Sequence, residues 1–476
     1  MIAYNILQLA TEMGHAPNHD DVLKEILSTV KTVDFLDQAG KEPTNANYHV
    51  ITIKELLKTV PDDYGLAWEN QAIVYNGTYW HPIDSDVMES FLMECAIKMG
   101  APWITQSHYE QKSKLLKQFA STAPKPNRKQ QTMINLANGT LRFTPEPILT
   151  AFNKQDFLKY QLPFIYDENA TTQIFNKYLE RCLPDVSAQK LLAEYLGYVF
   201  VNRETLNLEK ALILYGTGAN GKSVMFDIVT ALLGRSNITS YSLESLCDDR
   251  GYHRAMIGDA LLNFCTEVSS KRIESSYFKA LVSGEPIEAR LPYQDPVVMN
   301  KYAKLMFNTN ELPTTSDTTE GFFRRFTIIP FKVIIPPSER DSNLAQKIIS
   351  SELSGVLNWV IDGLNRLLLN KRFTHCESAN NELCQYRHDA DTVLSYIDEA
   401  DIIPGALPQK GSLLYNQYKG HCLDSGRPAL GRTKFFRRLE QQSFERIMKG
   451  KQIHFGIDKE VDPLSPVGFD DSELPY

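Results

Sequence analysis

Residues 216–224 read GTGANGKSV, with the spacing glycine, four residues, glycine, lysine, serine. Loops with this spacing, called P-loops, bind phosphate groups through backbone N–H groups, and the glycines allow close approach. We expect Lys222 to reach the β- and γ-phosphates of ATP, and the Ser223 hydroxyl to bind Mg²⁺. The predicted nucleotide-binding residues are Gly216, Thr217, Gly218, Ala219, Asn220, Gly221, Lys222, Ser223 and Val224.

The flanking segments distinguish this loop from a chance match. ALILY before it predicts a short buried strand, and SVMFDIVTALL after it predicts a helix that ends at Gly234. Strand, glycine-rich loop and helix is the context that a phosphate-binding loop requires. A chance match in a glycine-rich loop is the alternative, and these flanks disfavour it.

Catalysis on a bound nucleotide needs a further acid. The apolar run ALLNFC predicts a strand that is followed by Thr266 and Glu267. We expect Glu267 to activate the attacking water and to belong to the metal site beside Ser223. Asp259 begins the same segment, and eight residues of strand span about 26 Å, so it lies out of reach. The alternative for Glu267 is an ordinary solvated acid at a strand end.

Two later motifs are less specific. AKLMFN predicts a third strand that leads to Asn310, whose amide could hydrogen-bond the attacking water or the γ-phosphate; a turn asparagine is the alternative. In FFRRFTIIPF, Arg324 and Arg325 precede another apolar strand. One of them could stabilise transition-state charge on a neighbouring subunit's nucleotide, as an arginine finger does. An ordinary surface pair is the alternative.

The composition of the chain limits the classes of protein to which it can belong. The chain has 476 residues, 43% hydrophobic residues and a formal net charge of −8, which predicts several globular domains. Seven separated cysteines without a C-x-x-C pair favour reduced thiols over a zinc site or a disulfide framework. Because neither a secretory signal nor a long apolar run is evident, we expect a cytoplasmic protein, in the cytoplasm of a bacterium.

The pattern along the chain predicts how the elements are organised. The first 60 residues read as helical, and hairpins are predicted with turns at Asn76-Gly77 and Asn138-Gly139. Residues 392–457 read as three helices followed by a hairpin. The acidic tail from Asp458 onward is expected to lack regular structure.

The ordered residues Lys222, Glu267, Asn310 and Arg325 resemble the superfamily 3 helicases, a branch of the AAA+ ATPases found in viruses, phages and plasmids. The segments KALVSGEPIEARLPYQDP, AKLMFNTNELP and FFRRFTIIPF are similar to the phage and plasmid primase-helicase family, which includes the poxvirus primase-helicase. The upstream segments YNGTYW, NLANGTLRF and LLAEYLGY resemble the accessory domain of that family. The resemblance extends over roughly residues 66–457.

The resemblance implies an α/β multidomain protein, in which an AAA+ P-loop core follows a mixed α/β accessory domain and precedes a C-terminal winged-helix domain. It also implies a homo-hexameric ring with ATP between subunits and DNA in the centre, and Arg325 as the preferred finger over Arg324. The expected division is a helical region (1–60), the accessory domain (61–175), the ATPase core (176–340), its C-terminal helices (341–384), the winged-helix-like domain (385–457) and the acidic tail (458–476).

Two surfaces are expected to contact DNA. The resemblance places a channel hairpin in IEARLPYQDPVVMNKYAK, where Arg290 and Lys301 on the arms could contact phosphates and Tyr293 could stack on a base. Relatives often carry a lysine at the tip, whereas this chain has Gln294 and Asp295, so a purely structural hairpin remains the alternative.

The second surface is a basic segment, residues 431–457, with seven basic residues against two acids. Such a concentration of charge is typical of phosphate binding in an otherwise acidic protein. A solvated basic face, or one that docks on the acidic tail, is the alternative. The residues expected to bind DNA here are Arg432, Lys434, Arg437, Arg438, Lys449 and Lys451.

The sequence therefore predicts an ATP-dependent replicative DNA helicase of a phage, plasmid or integrated element. It binds single- and double-stranded DNA. Primase chemistry needs a catalytic domain for which the residues before the accessory region are too few, so a separate primase is expected as a partner. The main alternative is a non-helicase AAA+ protein, such as an initiator or a defence ATPase, that binds DNA without unwinding it.

Overall fold

The computed structural model describes residues 17–127, 131–144, 146–266, 275–291, 295–313, 315, 317 and 319–458. Within these residues the fold is mixed α/β, with one five-stranded parallel sheet and four smaller antiparallel sheets. Glu267, Tyr293 and the acidic tail after Asp458 lie outside the described residues. Among the described helices, none is both long and apolar enough to cross a membrane.

Most of the first part of the described chain packs around one apolar core, beside a smaller cluster that contains Ile73 and Trp80. Buried Ile26, Leu56, Val74 and Leu92 all belong to this core, so the core continues across residue 60. The predicted hairpin at Asn76-Gly77 is confirmed by the pairing of β2 with β3. The elements are α1 (His19–Thr29), α2 (Phe35–Ala39), α3 (Asn45–Thr59), β1 (Gly65–Glu69), β2 (Gln71–Tyr75), β3 (Trp80–Pro82), α4 (Ser85–Met99), α5 (Trp103–Gln106) and α6 (Tyr109–Thr122).

A second antiparallel sheet contains β4 (Met133–Leu136), β5 (Gly139–Thr144) and β6 (Glu146–Thr150). The predicted strand pair is confirmed, but the turn lies one residue earlier, because Leu136 pairs with Gly139. Gly139 is instead the first residue of β5, with φ of +148°, and a Cβ there would lie 2.5 Å from the Thr150 carbonyl oxygen. Close approach of β6 therefore explains the glycine.

The parallel sheet has the strand order β13, β7, β12, β9, β8. Its P-loop strand is therefore flanked by β13 on one side and β12 on the other. Because all pairs are parallel, the carboxyl ends of the strands lie at one edge, where ligands bind in open α/β sheets. The strands are β7 (Ala211–Tyr215), β8 (Ile238–Thr239), β9 (Leu262–Cys265), β12 (Lys304–Thr309) and β13 (Phe326–Pro330).

Helices cover both faces of this sheet, as a buried parallel sheet requires. Alternate residues of β7 belong to different cores: Leu212 and Leu214 to one, Ala211 and Ile213 to the other. The helices of this part are α7 (Ile174–Cys182), α8 (Val186–Tyr198), α9 (Lys222–Leu233), α10 (Leu243–Leu246), α11 (Tyr252–Ala255), α12 (Ser275–Ser283), α13 (Glu320–Phe323), α14 (Leu344–Ser351), α15 (Leu353–Asn370) and α16 (Glu377–Ala390).

Helices α8 and α15 pack closely behind the P-loop strand. A Cβ added at Gly363 would lie 2.4 Å from the Ala193 carbonyl carbon, and one added at Gly197 would lie 2.7 Å from Leu364 Cβ. Glycines therefore allow the two backbones to approach each other. The two helices therefore form one closely packed layer, and the parallel sheet packs against it.

The predicted hairpin after α12 is confirmed as β10 (Ile287–Ala289) and β11 (Val297–Met299), which pair antiparallel. In the last part of the chain the predicted three helices and hairpin are also present, but strand β14 was not predicted. Pro404, Gly405 and Pro408 lower its strand propensity, and it pairs only with β16 at a sheet edge. The elements are α17 (Thr392–Glu399), β14 (Pro404–Lys410), α18 (Gly411–Asp424), α19 (Arg432–Gln441), β15 (Arg446–Lys449) and β16 (Gln452–Ile457).

Candidate active site

The glycine-rich loop connects β7 to α9 at the carboxyl edge of the sheet. Gly221 has φ of +90° and Ala219 has φ of +62°, so the loop uses left-handed backbone on both sides of Asn220. No described side chain caps the amino terminus of α9 at Gly221. The helix therefore presents its first backbone N–H groups and its positive dipole end to the cavity in front of it.

Lys222 is held in place by three oxygen atoms. Its Nζ donates to the Gly216 carbonyl oxygen, to Asn220 Oδ1 at 3.1 Å and to Asn310 Oδ1 at 3.2 Å. The residue is buried, and this burial lowers the pKa of its ammonium group. A bound phosphate would favour the charged form, because an opposite charge stabilises an ammonium group in a site of low polarity.

Asn310 reaches Lys222 because β12 lies directly beside β7. It follows the last residue of β12, and Asn308 Nδ2 in the same strand donates to the Lys222 carbonyl oxygen at 3.2 Å. The structure thus brings together the lysine and the amide that the sequence placed in one site. Thr266, which follows β9, also lines the cavity, whereas its neighbour Glu267 is outside the described residues.

The cavity before the loop has a volume of about 410 Å³. Ser223 and Val224 line it, as do residues from α7 and from the segment after β13. Tyr178 in α7 donates to the Gly221 carbonyl oxygen at 2.9 Å, and Ile335 N donates to the Ala219 carbonyl oxygen at 2.8 Å. These two contacts tie the loop to α7 and to the segment after β13.

Sequence reasoning missed several residues that line this cavity. Arg181 pairs with Glu339 at 2.9 Å across it, joining α7 to the segment before α14. No motif marks these residues, and the helical pattern of α7 predicted a helix without showing which face meets the loop. The additional lining residues are Tyr178, Arg181, Cys182, Asn308, Ile335, Glu339, Arg340, Asp341 and Leu344.

The two adjacent arginines have different environments. Arg325 is buried, and its Nε and Nη2 donate to Ser283 Oγ at 3.1 and 2.8 Å. The Arg324 side chain is 58% exposed and pairs with Glu209 at 3.1 Å. Arg325 therefore joins α12 to the start of β13 within the subunit while the Arg324 side chain faces outward, and the choice between them as the finger stays a prediction.

The hairpin formed by β10 and β11 is exposed mainly along β11, because Ile287 and Ala289 in β10 are buried. Val297 and Val298 on β11 face solvent, and Arg290 and Lys301 are exposed near the two ends of the hairpin. Arg290 N donates to the Gly251 carbonyl oxygen at 3.3 Å, which ties the end of β10 to the segment before α11. Tyr293 at the predicted tip is outside the described residues.

The basic segment 431–457 forms α19, β15 and β16. A concavity of about 620 Å³ lies between α19 and the sheet, and its lining includes five basic residues and one acid, Glu440. Lys410, at the end of β14, was not predicted to belong to this surface. The basic residues that line it are Lys410, Arg432, Arg437, Arg446 and Lys451. The surface that they form is called the basic concavity below.

Arg438, which was predicted to contact DNA, does not line this concavity. Its Nε donates to Asp391 Oδ2 at 2.6 Å. The other oxygen of this buried carboxylate accepts from Val393 N at 2.9 Å and so caps α17. Arg438 therefore connects α19 to the start of α17. Lys434 and Lys449 are exposed but do not line the concavity.

One comparison with known proteins covers most of the nucleotide site. Residues 214–325 match a family of unknown function, DUF5906. A protein of Acanthamoeba polyphaga mimivirus named "Putative helicase L207/L206" is 27% identical over 186 residues, which cover 36% of this chain and 18% of that protein. The chain thus spans less than a fifth of the length of this curated relative.

Solved structures with a similar arrangement include two apo forms of the NrS-1 C terminal region. One has a TM-score of 0.46 with 12% identity and covers 87% of this chain and 99% of that chain. The other has a TM-score of 0.45 with 12% identity and covers 85% of this chain and 98% of that chain.

Replacing Arg438 and Arg437 separately distinguishes a structural from a binding role. Arg438→Gln leaves the buried Asp391 carboxylate without its counter-charge, so we expect a loss of about 3–5 kcal/mol in the free energy of unfolding. Arg437→Gln, an exposed change, should alter it by less than about 0.5 kcal/mol. Arg437→Gln should instead weaken duplex DNA binding and lower the salt slope by about one unit.

Calorimetric unfolding and anisotropy titrations of labelled duplex at several salt concentrations measure the two effects. Wild-type stability of Arg438→Gln, together with a loss of DNA affinity equal to that of Arg437→Gln, would contradict the structural assignment.

Proposed function

We propose that this chain is an ATP-driven DNA helicase of the AAA+ type. The observation that carries the proposal is the hydrogen bond between Lys222 Nζ and Asn310 Oδ1, 3.2 Å long, at the carboxyl edge of the parallel sheet. It joins a P-loop lysine to a polar residue from the neighbouring strand at the place where the γ-phosphate of ATP would lie. An amide at this place suits hydrolysis, because it could hydrogen-bond the attacking water.

Each part of the proposed ATP hydrolysis is assigned to particular residues of the chain. Lys222 and the backbone N–H groups of the loop would bind phosphate oxygens, and Asn310 would orient the attacking water. The Ser223 hydroxyl would hold Mg²⁺, whose preference for oxygen ligands and retained waters suits this sparse donor set. Bound Mg²⁺ would neutralise charge on the phosphates. Glu267 remains the proposed water-activating acid from its position after β9.

Similarity to a viral protein named as a helicase supports DNA unwinding as the use of this site. The matched segment is a small part of that protein, so substrate and partners are proposed from the residues of this chain. The basic concavity would take DNA phosphates, because, among the described residues, five cations line it and only one of them, Arg446, is paired with the lining acid Glu440. We propose that helices α17–α19 and the sheet after them act as a winged-helix domain.

We further propose a homo-hexameric ring with ATP at the interfaces between subunits. Arg324 is suited to reach a neighbour's nucleotide, because its guanidinium group is exposed and is tied only to Glu209 among the described residues. In this ring the hairpin of β10 and β11 would line the channel and move single-stranded DNA. A separate primase would then supply primers.

A second candidate function is a DNA-binding AAA+ regulator that does not unwind DNA. The exposed surface of the hairpin favours it: Val297 and Val298 on β11 are apolar, and Glu288 and Asp295 are acidic. Such a surface is poorly suited to grip a polyanion. Unwinding is therefore the activity that must be measured.

Strand displacement tests the proposed function. We expect the wild-type protein to separate a forked duplex only with ATP and Mg²⁺, and Lys222→Ala to lose both nucleotide binding and unwinding. Lys332→Ala, which removes an exposed lysine elsewhere in the same core, is the matched control and should unwind normally. A wild-type protein that hydrolyses ATP and binds DNA without displacing a strand would favour the regulator instead.

Mixing two inactive variants tests whether the site is shared between subunits. Arg324→Ala should bind ATP but turn it over about 10³-fold more slowly, which is the scale of an arginine finger. Adding Lys222→Ala subunits should restore part of the activity, because some mixed interfaces contain both intact groups. Arg325→Ala should instead lower the melting temperature, since its contacts to Ser283 are internal.

Wild-type turnover by Arg324→Ala would contradict the assignment. So would the absence of rescue at every ratio in assemblies shown to exchange subunits.

A further inference from the structure

A second polar cavity lies at the opposite edge of the parallel sheet from the P-loop. It has a volume of about 430 Å³. Its walls are the chain before β7 (residues 199–207), the start of β9 and the link from β11 to β12, which contains Lys301. The cavity therefore lies beside the base of the hairpin, and none of the residues assigned to the nucleotide site lines it.

Lys304 and Arg203 line this cavity, and each has buried nitrogen atoms that lack acceptors among the described residues. Lys304, the first residue of β12, is only 7% exposed, and its Nζ has no hydrogen-bond partner there. Arg203 donates through Nη2 to the Leu281 carbonyl oxygen at 3.2 Å, but its Nε and Nη1 are buried and without partners among those residues. Buried polar atoms without partners are rare in proteins, because each one has lost its water.

Aromatic rings and one glycine hold these cations in position. Lys304 Nζ lies 3.7 Å from the centre of the Tyr198 ring, and the Arg203 guanidinium lies 4.2 Å from that of Tyr302. Gly284 has φ of +75°, and a Cβ there would lie 2.4 Å from Arg203 Cδ. Glycine at this position therefore makes room for the arginine.

The charges around the cavity are mostly positive. Glu204 is the one acid among the lining residues that the structure describes, and it is exposed, whereas Arg203, Lys301 and Lys304 are basic. Burial, and then the neighbouring Arg203 charge, hold the pKa of Lys304 well below its ordinary value. An anion between the two cations would satisfy their unused donors and restore the charged form of the lysine.

We propose that this cavity binds a phosphate group, with Lys304 and Arg203 as its ligands. A free phosphate ion and the 5′-terminal phosphate of a nucleic acid strand share the required chemistry, since each offers oxygens on an accessible end. An internal phosphodiester is flanked by sugars on both sides and fits a nine-tenths buried ammonium group poorly. The proposal is independent of ATP hydrolysis and of unwinding.

The test uses full-length protein carrying Lys222→Ala, so that the P-loop does not compete for the probe. Inorganic phosphate titrated in a calorimeter should bind, and adding Lys304→Met should weaken this binding by at least about tenfold, because charge-assisted hydrogen bonds are lost. Lys332→Met, an exposed change outside the cavity, is the matched control and should bind phosphate like its parent.

Melting temperatures show whether the Lys304→Met protein is folded as stably as its parent. In phosphate-free buffer Lys304→Met should melt at or above the parent's temperature, because a buried unpaired cation has been removed. Phosphate should raise the melting temperature of the parent and not that of Lys304→Met. Oligonucleotides with and without a 5′-phosphate, used as competitors, distinguish a strand end from the free ion.

Failure of the Lys222→Ala protein to bind phosphate would overturn the proposal. Equal binding by the Lys304→Met and Lys332→Met proteins would overturn it as well.

Discussion

The contact between the P-loop lysine and the end of the adjacent strand is the constraint on which the candidate active site depends. Lys222 begins α9, and Asn310 follows β12, so their 3.2 Å contact requires β12 to lie directly beside β7 in parallel register. A buried parallel sheet also requires helices on both faces, and helices pack against β7 in both of the buried cores. The packing of α8 against α15 through Gly197 and Gly363 supports the same layer.

Local patterns predicted the elements of this site well, because each one is encoded within a few residues. The apolar run of β7, the glycines of the loop and the stop at Gly234 lie within one short segment, and strand and helix follow from them. The hairpin at Asn76-Gly77 was predicted from an equally local signal, whereas the hairpin after α12 was predicted from the resemblance to the helicase family. Strand β14 was missed because its prolines and glycine oppose strand formation, and only its partner β16 holds it extended.

Local patterns could not show which of two chemically similar neighbouring side chains is buried and which is exposed. Arg324 and Arg325 have the same chemistry, and only the packing of α12 and α13 decides that Arg325 is the buried one. Arg438 lies among exposed basic residues in α19, yet its partner Asp391 belongs to α17, far away in sequence. Tyr178 in α7 donates to the Gly221 carbonyl oxygen, which is also far away in sequence. In each case a contact distant in sequence determines the role of the residue.

The proposed role of Asn310 is tested most directly by the steady-state ATPase rate of wild type and Asn310→Ala, with and without single-stranded DNA, alongside ATP affinity. We expect DNA to stimulate wild-type turnover. Asn310→Ala should keep ATP affinity within about threefold and lose about 10²–10³-fold in turnover, as removal of a single positioned hydrogen-bonding group does. Wild-type turnover by Asn310→Ala, or no ATP hydrolysis by the wild-type protein under any condition, would contradict the account.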